Sequence, residues 1–174
     1  EILKSKKNRI ILKQKVAINN PKMFKSLLNG VLEQDTDKSV ELSANFKTAT
    51  TATPTAAQLS DLEFAIIAVK HLKSNGITIV RDKQLIGMGC GQTSRVDALE
   101  SAIKKSKGFG FDLYGSVMAS EAFFPFPDGL IAAADAGATA AIQPGGSVRD
   151  QEVIAAANER NLAMVFTSTR HFRH

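Results

Sequence analysis

The chain has 174 residues, of which 44% are hydrophobic and 22% charged, so it can bury one ordinary core and is not a disordered polar chain. The single Cys90 allows no internal disulfide, and no apolar run approaches the roughly 18 residues of a membrane span. The basic start lacks the apolar part of a signal peptide. We therefore expect a cytoplasmic protein without a membrane partner. The net charge of +5 favours anionic partners such as phosphates or polycarboxylates, whereas one Tyr and no Trp argue against nucleic acid.

Residues 1–58 differ in pattern from the rest and are predicted to form an N-terminal extension and linker. We expect a strand at residues 9–12, a short helix from Pro21 to Leu28, and a second extended piece from Gly30 to Asp35. The run TATTATPTAA at residues 48–57 is typical of a linker because its small, polar and proline residues do not form a packed element.

From Thr55 onward the sequence follows clear helix and strand periods. Apolar residues at helical spacing predict one face of a helix that ends near residues 75–76, at Leu59, Leu62, Ile66, Val69 and Leu72. The later predicted elements, in chain order, are strand 77–80, a hairpin turn at 82–84, strand 85–90, a helix from Ser94 to about Lys107, strand 116–119, a helix capped by Asp128 and ended by Gly137, strand 138–142, helix 150–161 and strand 163–166.

This order of elements predicts an α/β fold for residues 59–174, with three layers and a mixed sheet. Three strands that alternate with two helices imply parallel crossovers, and the hairpin adds two strands of which at least one is antiparallel. Ligands of such sheets bind beyond the carboxyl ends of the strands. Residues 120–128, 143–147 and 167–170 are expected at that edge.

Two glycine-containing motifs invite a ligand and also have simpler explanations. In GMGCG, which contains Gly87 and Gly89, the spacing does not fit a dinucleotide fingerprint, and a close approach of two backbones explains the glycines better. The PGGS segment at residues 144–147 could turn backbone N–H groups towards an anion. An ordinary strand-to-helix turn is the favoured interpretation of PGGS.

The segment SEAFFPFPD and the terminal RHFRH are the other unusual motifs. Prolines stiffen the loop that presents Phe123, Phe124 and Phe126, which either pack as a satellite core or form a site. His171 and His174 are an HxxH pair, for which a frayed tail is the default interpretation, because zinc normally takes three or four ligands. With one cysteine and no HxE motif, the zinc chemistry of the deaminases is excluded, and we expect no zinc.

Four segments together resemble one enzyme family, namely VKHLKSNGITIV, GMGCGQTSRVDAL, ASEAFFPFPDGL with IQPGGSVRDQEVI, and TRHFRH. In order and spacing they are similar to the C-terminal half of aminoimidazole carboxamide ribonucleotide (AICAR) transformylase, which is usually fused to inosine monophosphate cyclohydrolase, a hydrolase of purine biosynthesis. The resemblance implies a duplicated cytidine-deaminase-like fold without zinc. It also implies a homodimeric full-length protein that formylates AICAR with 10-formyltetrahydrofolate as co-substrate.

The resemblance also implies roles for individual residues. Asn75 matches a catalytic asparagine near the reacting amine and formyl group. Some members hold a potassium ion near the position of Glu121, where the family often has Asp. The remaining matched positions are Arg95, Phe123, Asp128 and Ser147 on the folate side, and Arg170 and Phe172 at the nucleotide.

The family's catalytic Lys-His pair lies in a KHxNPxG motif of the N-terminal half, and this motif is absent here. Lys70-His71 lacks the Asn-Pro-x-Gly that should follow, and adjacent helical residues project about 100° apart. We therefore expect the chain to be inactive without the N-terminal half of the same enzyme. The alternative is a non-catalytic folate- or nucleotide-binding module, and a partner segment that supplies the Lys-His pair would distinguish the two.

Overall fold

The computed structural model describes residues 5, 8, 10, 12–17 and 21–173. The chain forms two compact units, Glu1–Lys38 and Ser39–His174. The strand predicted at residues 9–12 and the histidine at position 174 fall wholly or partly outside the described residues. Among the residues that are described, no helix is both long and apolar enough to cross a membrane.

The first unit contains a β-hairpin, in which β1 (Lys22–Leu27) pairs antiparallel with β2 (Gly30–Asp35). The prediction of a helix from Pro21 to Leu28 is therefore wrong. Asn29-Gly30 is a strong hairpin-turn signal, and Lys22 bridges across the strands to Glu33 at 3.0 Å and Asp35 at 2.6 Å. These pairings need the opposite strand, which a helix formed from β1 alone could not provide.

The second unit is built on a six-stranded mixed sheet. Its strands are β3 (Lys47–Thr48), β4 (Ile77–Arg81), β5 (Gln84–Gly89), β6 (Ser116–Ser120), β7 (Ala138–Gln143) and β8 (Ala163–Phe166). Their order across the sheet is β3-β8-β7-β6-β4-β5. The middle strands β6, β7 and β8 are parallel, whereas β4 runs antiparallel to both of its neighbours and β3 antiparallel to β8. The mixed sheet is thus confirmed.

Helices cover both faces of this sheet and complete the three layers. On one face, α1 (Ala56–Lys70) packs its buried leucine and isoleucine side chains on Val117 and Ile142. On the other, α2 (Arg95–Gly108), α3 (Asp128–Ala136) and α4 (Asp150–Glu159) form a separate core cluster with Met118 and Met164. Neighbouring residues of one strand enter opposite clusters because side chains alternate across a sheet. The three-layer α/β prediction is confirmed.

The Thr/Ala/Pro run is part of the folded unit, so its interpretation as a linker is wrong. Thr50 is buried, and its hydroxyl accepts a hydrogen bond of 2.8 Å from the Met164 N–H, as a strand partner would. Thr55 forms a capping box with Gln58 at the start of α1. Threonine hydroxyls can replace backbone partners in this way, and the compact unit begins at Ser39, before the predicted boundary at residue 58.

The helix predicted to end near residues 75–76 ends at Lys70, with His71 as its C-cap, so that boundary is wrong. The other turn and cap predictions are confirmed with one exception. Asp82 and Lys83 adopt left-handed φ angles of 53° and 57° at the tip of the β4–β5 hairpin, and the Ser94 hydroxyl accepts the Asp97 N–H at 3.1 Å to cap α2. The exception is Asp128, which is the first residue of α3 and not its cap. Its Oδ1 accepts the N–H of Gly129 at 2.9 Å, and Pro127 occupies the cap position.

The glycines of GMGCG allow α2 to lie directly on β5. A Cβ atom built on Gly89 would be 1.8 Å from the carbonyl oxygen of Ala98, and one on Gly87 would be 2.7 Å from that of Ala102. No side chain larger than hydrogen fits at either distance. The close backbone approach predicted from the sequence is confirmed, and it fixes α2, whose first residue is Arg95, against the sheet.

Candidate functional site

The predicted site residues lie in loops, or at the first residue of a helix, at one edge of the sheet. The carboxyl ends of the parallel strands β6, β7 and β8 meet there. Ile77, the first residue of β4, pairs with Ser120 and with Gly89, so the loop before β4 and the loop after β5 leave the sheet at the same edge. This geometry places the segments 71–76, 90–95, 121–127, 144–149 and 167–173 around one end of the domain.

Glu121, directly after β6, connects three of these loops. Its carboxylate is fully buried. Oε2 accepts the backbone N–H of Gly76 at 2.9 Å, and Oε1 accepts an N–H of Arg95 at 3.3 Å. The backbone oxygen of Glu121 accepts the N–H of His171 at 2.9 Å. A single residue thereby holds the segments that carry Asn75, Arg95 and the terminal motif.

Arg95 is an ion-pair partner within the fold and not a solvated side chain of the first helical turn. Only 13% of its side chain is exposed, and among the described residues its Nε has no hydrogen-bond partner. Burial lowers the pKa of Arg95, and the charge of Glu121 opposes this effect. Burial raises the pKa of Glu121, opposed by Arg95, the Gly76 N–H and the Ser74 hydroxyl. Each charge therefore depends on the other, as expected for a buried pair.

Asn75 is half-buried in the loop before β4, next to the Gly76 N–H that Glu121 binds. Its backbone N–H and its side-chain Nδ2 both donate to the carbonyl of Gln92, at 3.3 and 3.0 Å. The amide is thereby held against the loop that leads into α2. Within the described part of the chain, no hydrogen bond to its Oδ1 is found.

The terminal segment is held in the domain by hydrogen bonds. His171 is buried, with its Nε2 2.8 Å from a carboxylate oxygen of Glu41, so the interpretation of a frayed tail is wrong for this residue. The Arg173 N–H donates to the Ser74 hydroxyl at 3.0 Å, and the Ser74 N–H donates to the Arg173 carbonyl at 2.9 Å.

The two predicted nucleotide-site residues lie on either side of this buried histidine. Arg170 and Phe172 are both exposed, and the Arg170 guanidinium carbon lies 5.7 Å from the centroid of the Phe172 ring. A cation over an aromatic face is a favourable contact. Together they offer a positive charge and a ring face to a ligand at the edge of the site.

The three aromatics of the loop after β6 divide between core and surface. Phe124 is buried, and its N–H donates to the side-chain oxygen of Gln143 at 2.8 Å. Phe123 is half-buried and Phe126 is exposed, with the guanidinium of Arg149 lying 4.7 Å from the Phe126 ring centroid. Of the two interpretations of this loop, packing accounts for Phe124, and the folate role of Phe123 stays a prediction.

The four predicted folate residues, Arg95, Phe123, Asp128 and Ser147, share the edge of the sheet but are not joined to one another. Within the described ranges no hydrogen bond or ion pair links their side chains: Arg95 pairs with Glu121, Asp128 with its neighbour in α3, and the Ser147 hydroxyl accepts the N–H of Arg149 at 3.1 Å. That these residues face a single cleft stays a prediction.

The PGGS loop forms an ordinary turn, as favoured from the sequence. The N–H groups of Gly146 and Ser147 donate to the carboxylate of Asp150, at 2.7 and 3.2 Å. These are the donors that an anion would have used. Asp150, the first residue of α4, supplies the negative charge from within the chain, so the suggestion of an anion site at these two N–H groups is wrong.

Lys70 and His71 do not converge on a common point. Lys70 is the last residue of α1, and its Nζ donates to the carbonyl of Ser39, while His71 is the exposed C-cap of the same helix. The carbonyl of His71 accepts an N–H from the Arg173 guanidinium at 3.2 Å. The pair has a structural position at the end of a helix.

The surroundings of Glu121 do not fit the potassium ion that the family resemblance implies. One of its carboxylate oxygens accepts a backbone N–H, and the other lies 3.3 Å from a guanidinium nitrogen, so a cation in contact would meet a positive charge. For other metals, no group of three or more His, Cys, Asp or Glu side chains within the described ranges could hold an ion.

Four residues have a structural importance that the sequence patterns do not predict, namely Glu121, Ser74, Gln143 and Glu41. For Glu121 a signal was present: it follows the apolar strand SVMAS and precedes AFF, and a charged residue inside a buried run is rarely buried without a partner. Gln143 ends the buried strand β7 in the same manner. The partners themselves are distant in sequence, so no local pattern identifies them.

A family model described as the AICARFT/IMPCHase bienzyme matches residues 1–105. The chain belongs to this family. The bifunctional purine biosynthesis protein PurH of Bacteroides thetaiotaomicron is 55% identical over 174 residues, which is 100% of this chain and 34% of PurH. PurH of Chlorobium phaeobacteroides is 50% identical over 173 residues, 99% of this chain and 33% of its own length. The chain thus spans about a third of the length of these relatives.

Among solved structures, a diaminohydroxyphosphoribosylaminopyrimidine deaminase/5-amino-6-(5-phosphoribosylamino)uracil reductase of Thermotoga maritima aligns with 62% of this chain and 34% of its own, at 15% identity and a TM-score of 0.39. A likeness at this level supports no argument about fold family. The cytidine-deaminase-like character implied by the family resemblance therefore stays a prediction beyond the three-layer α/β architecture.

Proposed function

We propose that this chain forms part of a formyltransferase that moves the formyl group of 10-formyltetrahydrofolate to the amine of AICAR in purine biosynthesis. The observation that carries this proposal is the arrangement of the segments holding Asn75, Arg95, Phe123 and Arg170 around one edge of the sheet, joined through Glu121. Sites assembled from several loops at such an edge suit a reaction that must orient two substrates.

The proposed roles are those that the family resemblance implies, and the chemistry of each side chain is compatible with them. The amide oxygen of Asn75 accepts a hydrogen bond from the attacking amine of AICAR and orients it. Phe123 and Asp128 contact the pterin of the folate, and Arg95 and Ser147 complete the folate side. Arg170 and Phe172 offer a positive charge and a ring to the nucleotide, whose phosphate and purine precursor ring they complement.

We propose that the chain by itself does not catalyse the transfer. The amine of AICAR is a poor nucleophile, so catalysis needs a base to remove a proton and a positive donor for the developing oxyanion. Asn75 cannot act as a base, because an amide does not take up a proton near neutral pH. Lys70 and His71 are held at the end of α1. Each missing group typically contributes about 10² or more in rate, so the chain alone would act only as a folate- or nucleotide-binding module.

The N-terminal half of the same enzyme is the proposed source of the missing Lys-His pair. The full-length protein is proposed to be a cytoplasmic homodimer. The relatives that span three times the length of this chain are described as bifunctional, which supports the view that the chain completes its chemistry within a larger protein.

An assay of tetrahydrofolate formation with both substrates tests this function. It compares this chain alone, the chain mixed with the remaining segment of its parent protein, and the full-length protein. We expect turnover only where the KHxNPxG motif is present. His71→Ala in the full-length protein serves as the control and should leave turnover unchanged. Turnover by this chain alone, abolished by His71→Ala, would show that Lys70-His71 is the catalytic pair and would refute the proposal.

A further inference from the structure

We propose that Glu121 is a positioning residue, which sets the Arg95 guanidinium and the Asn75 loop in the geometry that binds the two substrates. The inference rests on the proposed formyl transfer. It assigns Glu121 no contact with substrate, because its carboxylate is fully buried and faces only the protein.

The two carboxylate oxygens act on two different loops. Oε2 binds the Gly76 N–H at 2.9 Å, and Gly76 follows Asn75 directly. Oε1 binds Arg95 at 3.3 Å, at the first residue of α2. A change at this one carboxylate therefore moves a residue proposed for the reacting amine and a residue proposed for the folate together.

There is little free space in which these groups could rearrange. A Cβ atom on Gly76 would lie 3.6 Å from Oε2 of Glu121 and 3.2 Å from the Cβ of Leu72, so the loop backbone packs directly on the carboxylate. The Ser74 hydroxyl opposes the rise in the pKa of the same carboxylate, and the backbone N–H and hydroxyl of Ser74 are hydrogen-bonded to Arg173. Loss of the negative charge should therefore shift the Asn75 loop and the terminal segment as well as Arg95.

Because Arg95 is charged and buried, the orientation of its guanidinium depends on Glu121. A guanidinium that loses its carboxylate partner in a buried site is costly, and it relieves this cost by turning towards water. The Nε of Arg95 already lacks a partner among the described residues, so Glu121 is the anchor that the side chain has. Without this anchor, the guanidinium would leave the orientation required by the folate.

The test uses the full-length protein that contains this chain, with Glu121→Gln as the variant that keeps shape and removes charge. Asp135→Asn is the matched control, since Asp135 pairs with Arg160 at the same 3.3 Å but with 65% of its side chain exposed. Steady-state kinetics with each substrate varied are normalised to the folded fraction. We expect Glu121→Gln to raise the KM of both substrates and to lower kcat at least tenfold, while Asp135→Asn matches wild type.

Glu121→Asp is the conservative variant. It restores the charge with a shorter reach, so we expect kinetics between those of wild type and Glu121→Gln. If Glu121→Gln does not fold, the comparison of Glu121→Asp with wild type carries the test, with an expected two- to tenfold rise in both KM values. Unchanged KM and kcat per folded molecule, with only a lower melting temperature, would reduce Glu121 to a structural residue and overturn the inference.

Failure of the inference and failure of the proposed function are distinguishable. If the wild-type full-length protein neither turns over nor binds AICAR and folate in calorimetry, the proposed function fails, and the inference fails with it. If the wild type is active and Glu121→Gln equals it, the proposed function stands and only the positioning role is refuted.

Discussion

Two arginine–carboxylate pairs of equal length lie in contrasting surroundings. Arg95–Glu121 joins α2 to the loop after β6, and Arg160–Asp135 joins the end of α4 to α3, each with an N···O distance of 3.3 Å. The first pair is almost entirely buried, whereas water reaches much of the second. The comparison teaches that distance alone does not decide what an ion pair contributes, because water screens the exposed pair and leaves the buried charges dependent on each other.

The largest effect expected from this contrast is that of removing one buried partner. Arg95→Met keeps much of the side-chain volume but leaves the Glu121 carboxylate buried with no counter-charge. We expect the free energy of unfolding to fall by about 3–5 kcal/mol, measured by denaturant titration. Arg95→Met combined with Glu121→Gln should recover a large part of this loss. If the double variant is as unstable as the sum of the single variants, the two residues are not coupled.

With the Arg95–Glu121 pair intact, a change of pH is expected to have a smaller effect on stability. Burial raises the pKa of Glu121 above its ordinary value of 4.5, with Arg95 opposing. The folded chain thus binds the Glu121 proton more tightly than the unfolded chain. The stabilisation that this proton provides is fully present below the ordinary pKa and is lost as the pH rises through the raised pKa of the folded chain. The stability of wild type relative to Glu121→Gln should therefore increase as the pH is lowered from about 7 towards 4.5. A relative stability that decreases on acidification would contradict a raised pKa for Glu121.

The smallest effect is expected at the exposed pair. Arg160→Met or Asp135→Asn should lower the free energy of unfolding by less than about 1 kcal/mol, and added salt should reduce the difference further. Unfolding curves at low and high salt measure this. A loss as large as that of Arg95→Met would mean that burial does not separate the two pairs.

Local signals in the sequence predict most of the second unit. The helical spacing of α1, the Ser94 cap, the left-handed turn at residues 82–83 and the alternation of strands with helices all depend on neighbours within a few residues. The errors arise where a distant partner decides. Thr50 takes the place of a strand partner for Met164, a distant contact that composition does not reveal, so its segment was predicted to be a linker. The Lys22–Asp35 pairing requires a second strand, so the first strand of the hairpin was predicted to be a helix.

The candidate site shows the same division. The order of strands predicts which loops share an edge, because parallel strands end on the same side of a sheet. It does not predict that Asp150 satisfies the N–H groups of the PGGS turn, or that Arg95 turns inward to Glu121. Both depend on which of several nearby charges reaches a given donor, which is a matter of side-chain length and burial in the folded chain.

The contact between Gly89 and Ala98 makes the position of α2 sensitive to the size of residue 89. A Cβ atom at residue 89 would lie 1.8 Å from the carbonyl oxygen of Ala98, so the helix would have to move away from β5. Arg95 lies three residues before Ala98 in the same helix, so this movement of the helix would displace its guanidinium. A substitution without charge, far from any substrate, would then have the same kinetic signature as a lost binding contact.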